Sequence, residues 1–401
     1  MLRQFRTQRK VRGYTRRGCM VFALVAAALL SACASNDFER TTAASPQGPG
    51  PAALPPPANG QIRVGLILPL SAAGNAGVAA QSMKNAADMA LAEFKNPNIQ
   101  LLVKDDGGTP QGAQLGAQQA LDEGAEIIIG PLFAQSVVAA GQVARSRNIP
   151  VIAFSTDATV ASRGVYLLSF LPEADVQRIV DYAVSRGRRS FAALLPDNAY
   201  GGVVEAAFQQ EVARHRARVV ALERYRADGG GIADPVRRVA QAASHADAIF
   251  IPDNAQAAQI AKMLASDGVN LKRVQLLGTG LWDDSRVFAA TELDNAWYAA
   301  PDPSGFRSFA ARYRARFGQD PVRTAALAYD AVALVAALVK TQGAQGFTEQ
   351  VLTNPSGFSG IDGIFRFRAN GTNERGLAVL RVTPNGGQVI SPAPRAFGSG
   401  T

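Results

Sequence analysis

The chain has 401 residues, a formal charge of +9 and two cysteines. Its length holds a leader and two domains of ordinary size. Seven of the nine excess positive charges (Arg3, Arg6, Arg9, Lys10, Arg12, Arg16 and Arg17) precede Cys33 with no acid among them. The remainder carries too little charge for a nucleic-acid footprint, and with no cysteine after Cys33 it must rely on a packed core rather than disulfides.

The basic stretch leads into an apolar one, Met20 to Leu30, and then into Ser31-Ala32-Cys33. Basic, apolar and small, in that order, predict a secretory signal peptide over residues 1–32. The apolar run is too short to span a bilayer, which needs ~20 residues. Arg16-Arg17 is compatible with twin-arginine export, but ordinary leader charge is the simpler reading. Residues 33–60 then read as a tether. Thr41 to Gly60 (TTAASPQGPGPAALPPPANG) is rich in Pro, Ala and Gly; such a composition buries too little apolar surface to offset its ordering entropy. Its expected reach lies between ~30 Å as a coil and ~80 Å as polyproline II.

From Gln61 onward strands and helices alternate. Ile62 to Leu70 is a branched, apolar run typical of a buried parallel strand. Ala76 to Phe94 has helical spacing. Strands are expected at 100–105, 126–129, 150–154 and 165–170, with helices at 111–122 and 134–147 between them. A second block follows, with helices at 173–186, 202–214, 234–244 and 256–266, and strands at 190–195, 218–225, 248–251 and 274–277. Two such blocks predict an α/β protein of two lobes, each a parallel sheet flanked by helices. Ligands of open α/β sheets bind beyond the carboxyl ends of strands.

Two resemblances sharpen this reading. Leu30-Ser31-Ala32-Cys33 resembles the lipobox of bacterial lipoproteins, which implies an exported product lipidated at Cys33 and so held to a membrane. The body resembles type I periplasmic binding proteins of the leucine/isoleucine/valine-binding kind. The marks are Val64-Gly65-Leu66-Ile67-Leu68-Pro69-Leu70-Ser71, Lys104-Asp105-Asp106, Ile129-Gly130-Pro131-Leu132, Leu195-Pro196-Asp197-Asn198-Ala199-Tyr200-Gly201 and the stretch Phe358 to Phe367 followed by Asn370-Gly371. The resemblance implies a two-lobed fold with three inter-lobe crossings, near 170–172, 300–302 and 356–360. Lobe 1 is then 62–171 plus 301–357, and lobe 2 is 172–300 plus 358–397.

Motifs of catalysis are absent from the sequence. There is no G-x-x-x-x-G-K-[ST] loop, no G-x-G-x-x-G between strand and helix, and Ile361 stands where a nucleophile elbow around Ser359 needs glycine. His215 and His245 are the two histidines and read as surface or helix-end residues, so no metal or cofactor is expected. Asp105-Asp106 reads as a strand-end cap, because neighbours on a strand face opposite ways. A binding protein rather than an enzyme is expected. Its candidate cleft residues are those of the post-strand loops: Ser71, Gln135, Ser136, Ser155, Thr156 and Asp157 from one lobe, Tyr200, Asp253 and Trp282 from the other. The Ser71 loop suits either an anion or simple helix capping. Tyr200 and Trp282 are either ligand walls or ordinary packing.

Three positions depart from what the resemblance implies for an amino-acid clamp: Ala134 replaces a serine, Asp157 a threonine and Gly280 a glutamate. The two cysteines that often bridge the first lobe are Gly108 and Phe133. A clamp so altered has been rebuilt for another ligand or has lost binding. One expectation is therefore a regulatory lipoprotein resembling penicillin-binding protein activators, which would contact a bifunctional peptidoglycan synthase from the periplasmic side of the outer membrane. The other is a substrate-binding lipoprotein of an ABC importer, delivering an amino acid or another small polar ligand to a permease.

Overall fold

The computed structural model describes residues 60–95 and 97–398. The first sheet is parallel, in the order β2-β1-β3-β4-β5, from β1 (Ile62–Leu68), β2 (Ile99–Asp105), β3 (Ala125–Ile129), β4 (Val151–Ala153) and β5 (Val165–Leu167). Helices α1 (Asn75–Glu93), α2 (Pro110–Asp122) and α3 (Ala134–Ser146) connect its strands, and α4 (Pro172–Ser185) follows the last. Strand β1 is central and covered on both sides. Val64, Leu66 and Leu68 join one core with Met83 and Ala87 of α1, while Ile67 joins the other with Ala117 of α2 and Ala140 of α3. This is the two-residue period of a strand buried on both faces.

The second sheet runs β15-β14-β10-β9-β8-β6-β7. Its parallel part comprises β6 (Ser190–Asp197), β7 (Arg218–Arg226), β8 (Ala248–Phe250), β9 (Gln275–Gly278) and β10 (Trp297–Ala300). Helix α4 with α5 (Ala199–Arg214) covers one face, and α6 (Ala233–Ala242) with α7 (Ala257–Ser266) the other. Phe208 of α5 stacks on Phe250 of β8 at 5.0 Å. A short helix α8 (Ser285–Phe288) precedes β10.

After β10 the chain returns to the first lobe. Helix α9 (Pro303–Phe317) brings Phe309 and Tyr313 against Ala86 and Met89 of α1. Helix α10 (Ala325–Gln342) is apolar and long enough to span a membrane, yet it is a core helix here, with Leu327, Ala331 and Val335 packed beside β1. A short α11 (Glu349–Leu352) leads to an antiparallel sheet of β11 (Phe358–Gly360), β12 (Gly363–Phe367) and β13 (Asn373–Arg375). Strands β14 (Ala378–Thr383) and β15 (Gly386–Ser391) then complete the second sheet, β14 pairing antiparallel with β10.

The expected third crossing near 356–360 lies later. Phe365 and Phe367 belong to the first lobe's core, Phe367 meets Tyr166 at 5.4 Å, and Leu167 N–H donates to the Gly371 carbonyl at 2.8 Å. Ala378 is the first of these late residues in a second-lobe core, followed by Val379. The passage therefore falls between Arg375 and Ala378, because three aromatic side chains (Phe358, Phe365, Phe367) cluster on the small sheet and anchor it to β5.

Candidate functional site

The carboxyl ends of both sheets open on one cavity of about 370 Å³. Thr156 and Phe170 reach it from the first lobe's loops, and Arg323 from the turn before α10. Pro172 and Asp175 come from the start of α4, Tyr200 from the start of α5, and Gly280, Leu281 and Asp283 from the loop after β9. Ala300 and Pro301 come from the second crossing. Most of this wall is apolar, and Leu281 is an exposed leucine there, 44% accessible.

The polar groups differ in how far they are committed. Tyr200 Oη lies 3.3 Å from the Pro252 carbonyl, to which it donates, and 3.0 Å from Thr279 Oγ1. Burial raises its pKa far above the ordinary phenol value, so it stays neutral. Arg323 donates to both Asp362 carboxylate oxygens, at 2.7 and 2.5 Å, and lies over the rings of Phe306 and Phe170 at 4.3 and 4.9 Å. The Gly280 N–H donates to Asp175 Oδ2 at 2.9 Å.

Asp175 sits in the first turn of α4 after Pro172, where helix geometry welcomes an acid. Burial against the cleft wall nevertheless pushes its pKa up to about 7, the Gly280 N–H and Arg375 opposing. Its Oδ2 lies 3.0 Å from where a Cβ at position 280 would stand, so the carboxylate fills the place that the glycine leaves open. Asp283 is largely solvent-exposed at the cleft mouth. What desolvation it has raises its pKa, Arg323 opposing, and Tyr298 Oη approaches its Oδ1 at 3.4 Å.

Behind the cleft lies a buried charge network. Arg375 donates through Nε to the Ser169 carbonyl at 2.9 Å and lies over Phe170 at 4.7 Å. Asp330 of α10 accepts from Ile361 N–H at 2.8 Å. Burial pushes the Asp330 pKa up to about 7. These residues join the first crossing, α10 and the small sheet.

Residues 61–388 match the family model described as periplasmic binding protein. The chain belongs to that family. Solved structures share its fold. One is a branched chain amino acid ABC transporter periplasmic ligand-binding protein from Burkholderia xenovorans LB400, with a TM-score of 0.68 at 19% identity over 84% of this chain and 97% of that one. Another is an ABC transporter substrate-binding protein from Desulfitobacterium hafniense in complex with Leu (TM-score 0.61, 19% identity, 82% and 99% covered). A third is a solute binding protein of an ABC transporter from Rhodopseudomonas palustris BisB5 in complex with 3,4-dihydroxy benzoic acid (TM-score 0.58, 19% identity, 84% and 97% covered). At such identities the likeness is one of fold. No curated protein matches the chain.

Within this periplasmic binding protein, the residues expected from sequence divide. Thr156 and Tyr200 line the cavity. Ser155 is buried and accepts from the Asp157 N–H at 3.1 Å. Asp157 is outside the cavity wall and caps a turn by accepting from Thr159 N–H and Oγ1 at 2.9 and 2.6 Å. Ser71 is exposed, its N–H donating to Asp105 Oδ1 at 3.2 Å, and Asp105 caps the strand end. Gln135 is exposed on the first turn of α3, while Ser136 is fully buried beside Asp106, whose pKa burial raises. None of these lines the cavity.

Two second-lobe candidates are structural. Trp282 is fully buried in the second lobe's core and donates to the Asp253 carbonyl at 3.3 Å. A Cβ at Gly278 would lie 2.1 Å from its ring. That close approach holds the indole inside and away from a ligand. Asp253 accepts from Tyr225 Oη at 3.2 Å and from the N–H of Ala255 at 3.1 Å, organising the turn after β8. The acid that does line the cleft, Asp175, escaped notice because an acid in a helix's first turn is commonplace. Arg323 escaped because nothing local marks it. Cys33 lies outside the described residues. The cluster Asp181, Glu211 and His215 has the atom types of a metal site, but Arg214 donates to both acids at 2.5 and 2.6 Å, so it reads as an ion-pair knot.

Proposed function

We propose that this chain is the solute-binding receptor of an ABC importer, a non-catalytic protein that captures one small ligand between its lobes and presents it to a permease. The observation that carries this reading is the cavity itself. It lies where open α/β sheets bind ligands, its size suits a small molecule, and its two lining carboxylates, Asp175 and Asp283, retain accepting capacity. The fold neighbours named above are ABC transporter proteins, one with Leu and one with 3,4-dihydroxy benzoic acid. That favours import over the peptidoglycan-synthase regulator, which rests on a tether outside the described residues and on loss of the clamp. The altered clamp is better read as rebuilt: Asp157 and Ala134 have left the ligand's side, and Asp175 occupies the space beside Gly280. We place the receptor on the periplasmic face, held by lipid at Cys33.

The test is a thermal-shift screen of the purified domain against amino acids, amines, aromatic acids, amides and sugars, followed by calorimetry on each hit. A saturable ligand of micromolar affinity, about −8 kcal/mol, is expected. A domain that binds nothing in that screen but retains a bifunctional peptidoglycan synthase in a pull-down would favour the regulator instead.

A further inference from the structure

The cleft's donors are spent and its acceptors are not. Arg323 is the cationic side chain lining the cavity, and both its terminal nitrogens are given to the buried carboxylate of Asp362. The N–H of Gly280 is given to Asp175. The Tyr200 hydroxyl is held by the Pro252 carbonyl and Thr279. Among the described lining side chains, the Thr156 hydroxyl is the donor left without a protein acceptor. On the other side of the account, Asp175 keeps Oδ1 without a donor among the described residues, and Asp283 has one long contact, from Tyr298 Oη. With both Arg323 terminal nitrogens given to Asp362, Asp175 and Asp283 are the carboxylates of the cavity wall and neither has an ion-pair partner there; Arg375 acts on Asp175, and Arg323 and Arg307 on Asp283, only through space. Around them are Phe170, Pro172, Leu281, Ala300 and Pro301.

A ligand carboxylate entering this space would meet two acidic side chains and no cation whose terminal nitrogens are free, and a buried unpaired charge is costly. An ammonium group brings the donors that the wall lacks. We infer that the cleft takes a small organic amine with an apolar body and no carboxylate, its ammonium seated on Asp175 with Asp283 as the second anion at the mouth. This rests on the receptor reading above and narrows it. The neighbours' Leu and dihydroxybenzoate both carry the carboxylate that this wall disfavours.

The probes follow from the chemistry. Leucine, 3-methylbutylamine and 4-methylpentanoate share one apolar body and differ only in their charged groups. Phenylalanine, phenethylamine and 3-phenylpropanoate repeat the comparison with an aromatic body. Calorimetry on the mature chain should give at least a tenfold tighter constant for one amine than for its parent amino acid, and no saturation with either acid. Asp175→Asn keeps the acceptor for Gly280 N–H and should weaken the amine at least tenfold with an unchanged circular dichroism spectrum. Asp283→Asn, at the exposed rim, should weaken it severalfold and covers the case in which the first variant misfolds.

Binding of an amino acid or an acid in preference to the amines would overturn the inference and leave the receptor reading standing. Failure of all six probes would also overturn it, and the broader screen then decides the receptor reading separately. Calcium chloride alone saturating the site and displacing the amine would replace the amine with a metal ion. Amine binding that survives both substitutions would remove it from these two carboxylates.

Discussion

Asp175 has a pKa near physiological pH for a reason that ligand binding would reverse. Desolvation holds its proton on, with Glu173 adding repulsion; Arg375 and the Gly280 N–H pull the other way, and Asp283 and the neutralised Arg323 face it across the cavity. Below about pH 7 the group is largely neutral and a poor seat for a cation. Amine affinity should therefore rise as pH increases from 6 to 8, and calorimetry in buffers of different ionisation heat should detect proton release. In Asp175→Asn that slope should flatten. Asp330 titrates in the same range, and its effect is read in stability rather than affinity. Its folded pKa, pushed up to about 7, exceeds the ordinary carboxyl value, so the folded state binds its proton more tightly than the unfolded state does. Its favourable contribution is complete below about pH 4 and is lost as pH rises towards 7. Asp330→Asn should flatten the fall in melting temperature across that window. Asp362 is paired with Arg323 through two hydrogen bonds, so its removal acts differently. Asp362→Ala should cost about 3 kcal/mol in denaturant melts, the lower end for a broken buried pair, because Arg323 keeps 35% of its side chain exposed and water can replace part of the lost partner.

At the level of elements, the small sheet β11–β13 ties the two lobes through the first. Phe367 is 2% exposed and in ring contact with Tyr166, Phe358 and Phe365. Phe367→Ala should lose about 3–5 kcal/mol, with cooperative melting of the first lobe as the readout. Sequence patterning gave the repeating elements clearly. Strands such as Ile62–Leu68 and helices with one apolar face left periods that need no context to read. Helix α10 left none, since 12 of its 18 residues are buried and apolar residues surround it. The stretch Phe358 to Phe367 was marked by the resemblance, but its allegiance was not legible, because which lobe receives three phenylalanines depends on contacts distant in sequence. The site was less legible still. Tyr200 and Thr156 stood at strand ends and could be found by rule. Trp282 stood there too, and only the absence of a side chain at Gly278 sends it inward. Asp175 lies on a helix that sequence places beside the cleft without marking its first turn as part of the wall.

At the scale of the molecule, the two lobes are linked three times, and the charge network of Arg323, Asp362, Asp330 and Arg375 lies where those links gather. Membrane attachment would come from elsewhere. Cys33→Ser should release the protein from the membrane fraction after a salt wash, since the one helix among the described residues both long and apolar enough to span a bilayer is buried in a lobe. Retention of that variant on membranes would count against lipidation. The interlacing of the chain has a further consequence. Strand β14 occupies an interior place in the second sheet, between β10 and β15, although it arrives some eighty residues after β10. Until it is synthesised, β10 presents an unsatisfied row of backbone groups and the second lobe lacks Val379, Leu380 and Val382 from its cores. A nascent chain short of β14 thus cannot close either its sheet or its hydrophobic interior there. A chain exported while its last strands are still being made would thread a narrow pore with no completed second lobe to pull apart.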